Sequence, residues 1–358
     1  MARRPDTEVL VVGGGPVGLA AAIECRRAGL DVVVVEPREG PVDKACGEGL
    51  MPGALALLHA WDVDPPGRTL AGISYRREGR HADHRFRSAA GRGVRRTTLH
   101  AALQERAVAS GAVLVRGRVT EVTPEDDGAV VDVVPAVTEG GPEAGRRITA
   151  RRVLACDGLH SPVRRALGLE AARSGRADRR RYGLRRHYRV APWSDLVEVH
   201  WSPSVEAYVT PVAEDLVGIA VLGPRGSDVD AALAELPELA ARLADAAPDG
   251  PVRGAGPLRQ RTSARSTPVV RLVGDASGYV DALTGEGLRV GFAQARAAVA
   301  TLEDAAAYER AWRAATRDYR VLTGALVLAA TSPLRGTVVP LARRLPQVYG
   351  GVVERLAR

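Results

Sequence analysis

The chain has 358 residues, 46% of them hydrophobic and 26% charged, which suits globular domains with real cores and excludes extended disorder. Its formal net charge is +8, but 49 of the 50 basic residues are arginine and Lys44 is the only lysine. That is the mark of GC-rich coding; without a recognition motif or an aromatic-interleaved basic stripe it does not point to nucleic acid.

Glu8 to Val12 reads as a short apolar strand, followed by glycines and an Ala-rich helix to about Ala28. Asp31 to Val35, nearly all Val, reads as a strand buried on both faces. Further strands are expected at Ala112–Arg116, Arg152–Ala155 and Val269–Val273. Between Val119 and Ala150, a small antiparallel excursion is expected around Asp126-Asp127-Gly128 and the polar stretch Glu139 to Glu143. Leu184–Val190, Leu196–Trp201, Val205–Thr210 and Leu216–Leu222 predict a second, antiparallel sheet. Asp228–Ala246 and Gly285–Ala300 read as helices. So does the tail from Tyr308, with breaks near Pro333, Pro340 and Pro346, as a pair of helices on the first domain.

Cys25, Cys46 and Cys156 form no CxxC pair, so neither a disulfide framework nor a metal site is expected. No apolar run approaches ~20 residues, and the strand at Glu8 leaves no room for a signal peptide. A cytoplasmic location is the expectation, with a weak peripheral membrane contact by the apolar tail as the remaining alternative.

Gly13-Gly14-Gly15-Pro16-Val17-Gly18 fits G-x-G-x-x-G between a strand and a helix. Gly13 permits the tight turn, Gly15 lets a pyrophosphate approach the backbone, and Gly18 lets helix and sheet pack closely. Glu36 ends the second strand, where a carboxylate can bind ribose hydroxyls; Pro16 and Arg38 belong to the same set. The acidic residue favours a free ribose diol, as in FAD or NAD. Later, Val273-Gly274-Asp275 places a carboxylate at a strand end, and Gly285-Glu286-Gly287 opens a helix whose N-terminus suits negative charge on a flavin.

With Asp157-Gly158 in the middle of the chain, these motifs resemble the para-hydroxybenzoate hydroxylase family of flavoenzymes, across roughly residues 7–300. The resemblance implies an α/β fold: a Rossmann-like, FAD-binding parallel-sheet domain interrupted by an antiparallel-sheet substrate domain, plus C-terminal helices. The expected boundaries are 1–70, 95–165 and 260–300 for the FAD domain, 71–94 and 166–259 for the substrate domain, and 301–358 for the helical segment. It implies noncovalent FAD, with Glu36 on the ribose and Arg96, in preference to Arg95, on the phosphates or ribityl chain. Asp157 and Gly158 would support FAD, Asp275 would bind the ribityl chain, and Gly285 and Gly287 would line the flavin. NADH or NADPH would be a transient reductant.

Lys44-Ala-Cys46-Gly47-Glu48 is most similar to the geranylgeranyl reductase branch, although Ala282 stands where a proline is common. Cys46 is a candidate proton donor or shaping contact, or else a small buried hydrophobe. Glu48 is a candidate acid or base, or else an exposed loop carboxylate. His200, Trp201 and Tyr208 are candidate pocket residues, or else ordinary sheet packing. The leading expectation is a monooxygenase of secondary metabolism acting on an apolar or aromatic small molecule. The alternatives are an alkene reductase of the geranylgeranyl kind and a non-catalytic flavoprotein. The missing tryptophan-rich motif argues against halogenation.

Overall fold

The computed structural model describes residues 5–136, 145–171 and 180–358, so the polar stretch at Glu139–Glu143 lies outside the described residues. The chain opens with β1 (Thr7–Val12), α1 (Pro16–Arg27) and β2 (Val32–Glu36), a strand–helix–strand unit whose strands pair in parallel. β3 (Gly49–Leu50), α2 (Pro52–His59), β4 (Arg68–Leu70), β5 (Gly72–Arg77), β6 (Arg80–Arg85) and β7 (Gly91–Gly93) follow. α3 (Arg96–Ala109) returns to the first layer and leads into β8 (Val113–Glu125), β9 (Gly128–Pro135) and β10 (Arg146–Ala155).

β8, β2, β1, β10 and β16 (Val270–Leu272) run parallel, and β9 joins β8 to β10 by antiparallel pairing. The all-Val strands follow from this position: β1 and β2 are covered on both faces, with Val9, Leu10 and Val11 fully buried. Val9 and Val11 pack on α1, while Leu10 and Val12 join the core on the opposite face.

After α4 (Pro162–Ala166) the chain builds the second sheet from β11 (Tyr182–Arg189), β12 (Leu196–Trp201), β13 (Glu206–Ala213) and β14 (Leu216–Gly223). β15 (Ala247–Ala255) adds to one edge, and the β5–β6 hairpin to the other through a parallel β12–β5 pairing. The stretch expected as one helix over 228–246 is two, α5 (Val229–Ala234) and α6 (Pro237–Arg242), because Pro237 cannot continue the first. Their apolar side chains cover the face of this sheet that carries Ala207, Val209, Ile219 and Val221.

α7 (Gly287–Ala300) packs on α1, and α8 (Ala305–Ala330) on α7. α9 (Val338–Arg344) and α10 (Pro346–Ala357) complete the chain. Pro340 causes no break: it stands in the first turn of α9, where its missing N–H has no intrahelical partner to lose. α9 and α10 also correct an expectation. They pack on the β5–β6 hairpin of the second sheet, where the Tyr349 hydroxyl donates to the Ile73 carbonyl at 3.1 Å and His84 pairs with Glu354 at 2.8 Å. No single helix among the described residues is long and apolar enough to cross a membrane.

Candidate functional site

The β1–α1 turn is shaped by contacts that only glycine allows. Gly13 has φ +99°, and a Cβ there would lie 2.7 Å from the Cys156 carbonyl oxygen. A Cβ on Gly18 would lie 1.9 Å from the Gly13 carbonyl oxygen. At Gly15 the backbone is open: its nearest neighbour would be the Arg96 guanidinium, at 4.0 Å. α1 has Pro16 at its first position and no side-chain cap, so the N–H groups of its first turn are left for an anion.

Glu36, buried at the end of β2, accepts the Gly14 N–H at 2.8 Å and is clasped by Arg38 at 2.7 Å. Burial pushes its carboxyl up, but the hydrogen bonds and charge of Arg38 outweigh this and hold it below the usual range. The Arg38 side chain is 54% exposed, so it can swing aside where a ribose hydroxyl competes for the carboxylate.

Arg96 opens α3 and lines the same cleft, its Nε buried without a partner among the described residues. Arg95, the alternative to Arg96, pairs with Asp249. Across the cleft, Asp157 Oδ2 accepts the Val163 N–H at 3.0 Å, while Oδ1 is buried and unpartnered among the described residues. Burial pushes this carboxyl up. Gly158 has φ +82° and faces Lys44, whose Nζ lies 3.4 Å from where a Cβ would stand. Buried Arg164 ties this turn to the next motif through the carbonyls of Leu159 and Ala276, both at 3.0 Å.

Asp275 lines the cleft from the turn after β16, and its carboxylate makes no hydrogen bond or ion pair among the described residues. The following loop is tightly held. Asp281 accepts the Leu283 N–H at 3.0 Å, and the Tyr208 hydroxyl donates to the Leu283 carbonyl at 2.6 Å. Arg181 links Asp281 to Glu206, which also pairs with Arg335. Gly285, at φ +70°, and Gly287 then bring the backbone into α7 beside the cleft.

Cys46 lines the cleft half-buried, and its Sγ accepts the Glu48 N–H at 3.4 Å. Glu48 is neither exposed nor free. It sits at φ +59°, with one oxygen accepting the Arg96 N–H at 2.9 Å and the other 2.6 Å from His187 Nε2. Its side chain and that of His187 are each 1% exposed. The pair therefore fastens the Cys46 loop to the second sheet and to α3. Sequence reasoning missed His187, because nothing in a β-strand marks which buried histidine meets a carboxylate 139 residues away. It also passed over Glu286 as a titrating group: burial pushes it up to about 7, and its Oε1 has no partner among the described residues.

These elements enclose one continuous cavity of about 1180 Å³. Tyr208 lines it, together with Val197, Val199 and Tyr75. His200 does not: it lies on the opposite face of β12 from Val199 and pairs with Glu198 at 2.9 Å. Trp201 shares the Val199 face but sits beyond the cavity, covered by Tyr75 and by the Arg335 guanidinium at 5.5 Å.

The residues fit FAD. An uncapped helix N-terminus, an open Gly15, a carboxylate at the ribose position, unpartnered Asp157 Oδ1 and Arg96 Nε, and an unengaged Asp275 all face one cleft.

A family described as FAD binding domain matches residues 6–202. A menaquinone reductase of Mycolicibacterium smegmatis is 29% identical over 338 residues, covering 85% of this chain and 79% of that protein. Protoasukamycin 4-monooxygenase of Streptomyces nodosus subsp. asukaensis is 33% identical over 189 residues, 46% of this chain and 44% of its own. A solved flavin-dependent brominase superposes with a TM-score of 0.81 at 16% identity, covering 98% of this chain and 94% of that one, a likeness of fold.

Proposed function

Because the chain belongs to the FAD binding domain family and is an FAD-dependent oxidoreductase, we propose that it is a monooxygenase of an apolar or aromatic small molecule. The observation that carries this reading is the apolar chamber that continues directly from the Cys46 and Gly285–Gly287 walls of the FAD cleft. When bound, FAD would supply the redox chemistry that couples oxidation of NADH or NADPH to activation of O2. The balance is one oxygen atom into the substrate and one into water, with the nicotinamide oxidised and one proton taken up.

The chain's own residues position and exclude. Asp275, Asp157 and Arg96 would hold the polar length of the cofactor. Tyr208, Val197 and Val199 present an apolar wall that keeps water from the reacting end. Cys46, with its sulfur on the cavity, is the candidate for a contact or a proton beside the substrate. Glu48, with both oxygens engaged, positions the Cys46 loop. Relatives that oxygenate antibiotic-type molecules support a place in secondary metabolism.

A second reading, reduction of a carbon–carbon double bond, is favoured by the Lys44–Cys46–Gly47 segment and by the menaquinone reductase alignment over 85% of the chain. Turnover of para-alkylphenols and polyprenyl quinones with NADPH under isotope-labelled O2 separates the two. Monooxygenation puts label into the product. Anaerobic formation of an unlabelled, hydrogenated product establishes the reductase instead.

A further inference from the structure

The cavity is divided by chemistry along its length. Among the described residues, every charged lining side chain lies between Glu36 and Glu286. From Leu322 onward the lining comes from α8, α9, α10 and their connections, and none of it is charged. The cofactor's anchors all sit at the charged end. Gly13–Gly18 and Glu36 take the adenosine and pyrophosphate half, so FAD leaves the helical end to another occupant.

That end is walled by apolar helix stripes. On α8, Leu322, Ala325, Leu326 and Ala329 recur at the spacing of one helix face and run along the cavity for about 10 Å. On α10, Val348, Val352 and Leu356 form a second such stripe. Val197 and Tyr75 of the second sheet complete the walls. Polar groups are sparse there: Thr337 and the hydroxyls of Tyr75 and Tyr349, the last already donating to the Ile73 carbonyl. The outer rim is apolar as well. Leu334, Leu341, Leu345 and Val348 line the cavity while remaining 59%, 53%, 45% and 61% exposed.

A compact ring beside the flavin needs no such extension. A cavity that also extends apolar surface into solvent matches a ligand whose own apolar length reaches that far. Resting on the reading that the flavin lies at the charged end, we infer that the substrate is a long-chain amphiphile. Its reactive head lies near Cys46 and Gly285, and its alkyl or prenyl chain lies between α8, α10 and the second sheet.

The test uses the FAD-loaded full chain and binding rather than turnover as its first readout. cis-Parinaric acid, a fluorescent chain, is bound and then displaced by phenol, para-butylphenol, para-octylphenol and para-dodecylphenol. The expected affinity rises about threefold to fourfold per added methylene over at least part of the series. Ala329→Trp, which puts an indole into the α8 stripe, should lower the affinity of the dodecyl compound about tenfold or more while FAD occupancy stays unchanged. Equal displacement by phenol and dodecylphenol overturns the proposal. So does concentration-dependent self-association without chain-length dependence, since the rim would then be covered by a second copy. Chain-length-dependent binding without oxygen incorporation supports the chain site and counts against monooxygenation instead. Oxygen incorporation into phenol as readily as into its long-chain homologues does the reverse.

Discussion

The two ends of the cavity are built by opposite strategies. The charged end is made of backbone: glycines at positions where a side chain would collide, helix N-termini, and carboxylates at strand ends. Each component belongs to a motif of a few adjacent residues. The helical end is made of side chains drawn from the second sheet and, far along the chain from it, from three successive helices near the C-terminus. A cofactor with fixed phosphates and hydroxyls demands local geometry, whereas an apolar chain demands only volume and the absence of charge.

Gly18→Val should break the charged end outright. A side chain there starts 1.9 Å from the Gly13 carbonyl oxygen, and backbone on both sides must move, at a cost of roughly 4 kcal/mol or more. The expected result is little soluble protein and no flavin in what survives, read from yield and the flavin-to-protein absorbance ratio. An FAD-loaded Gly18→Val protein would show that this turn is not the cofactor's seat.

His187→Ala tests the fastening between the two regions. It leaves Glu48 buried without its partner and should cost about 3–5 kcal/mol of stability, measured as a lowered urea midpoint. His187→Gln, which can still donate to Glu48, should recover part of that loss.

Asp275→Ala separates the two ends, since it removes one acceptor at the charged end and touches nothing at the other. FAD affinity should fall ten- to hundredfold, about 1–3 kcal/mol, in a folded protein purified largely without flavin. Unchanged occupancy would remove Asp275 from the cofactor's anchors.

A further effect concerns pH. Burial pushes Glu286 up to about 7 from 4.5, so the folded state binds a proton the unfolded state has lost. Its contribution to stability is full below about pH 4.5, falls as pH rises through 7, and then levels off. Glu286→Gln should flatten that slope and raise the melting temperature above pH 7, the gain amounting to about 3 kcal/mol at most. An unchanged slope between pH 5 and 8 would show that Glu286 is not the group responsible.

The same contrast explains what the sequence made legible. The β1–α1–β2 unit, and the gathering of Glu36, Asp157–Gly158 and Asp275 at one cleft, are legible because backbone geometry forces their residue types within a few positions. Tyr208 on β13 lines the cavity and His200 on β12 does not, and the sequence pattern does not separate them. Alternation assigns two faces to a strand without saying which face meets the cavity or where the cavity ends. The Glu48–His187 pair and the Asp281–Arg181–Glu206–Arg335 chain of charges join residues far apart in sequence, and no local spacing encodes them. The C-terminal helices were visible as helices, while their seat on the β5–β6 hairpin depends on a tertiary fit that periodicity does not carry.

If one cavity holds two occupants side by side, titration of the FAD-loaded protein with cis-parinaric acid shows it. Probe fluorescence and free flavin are followed in the same cuvette. Separate ends predict saturable probe binding with the flavin spectrum perturbed but FAD retained throughout. Release of FAD in step with probe binding would mean a single shared site and would contradict the division of the cavity into two ends.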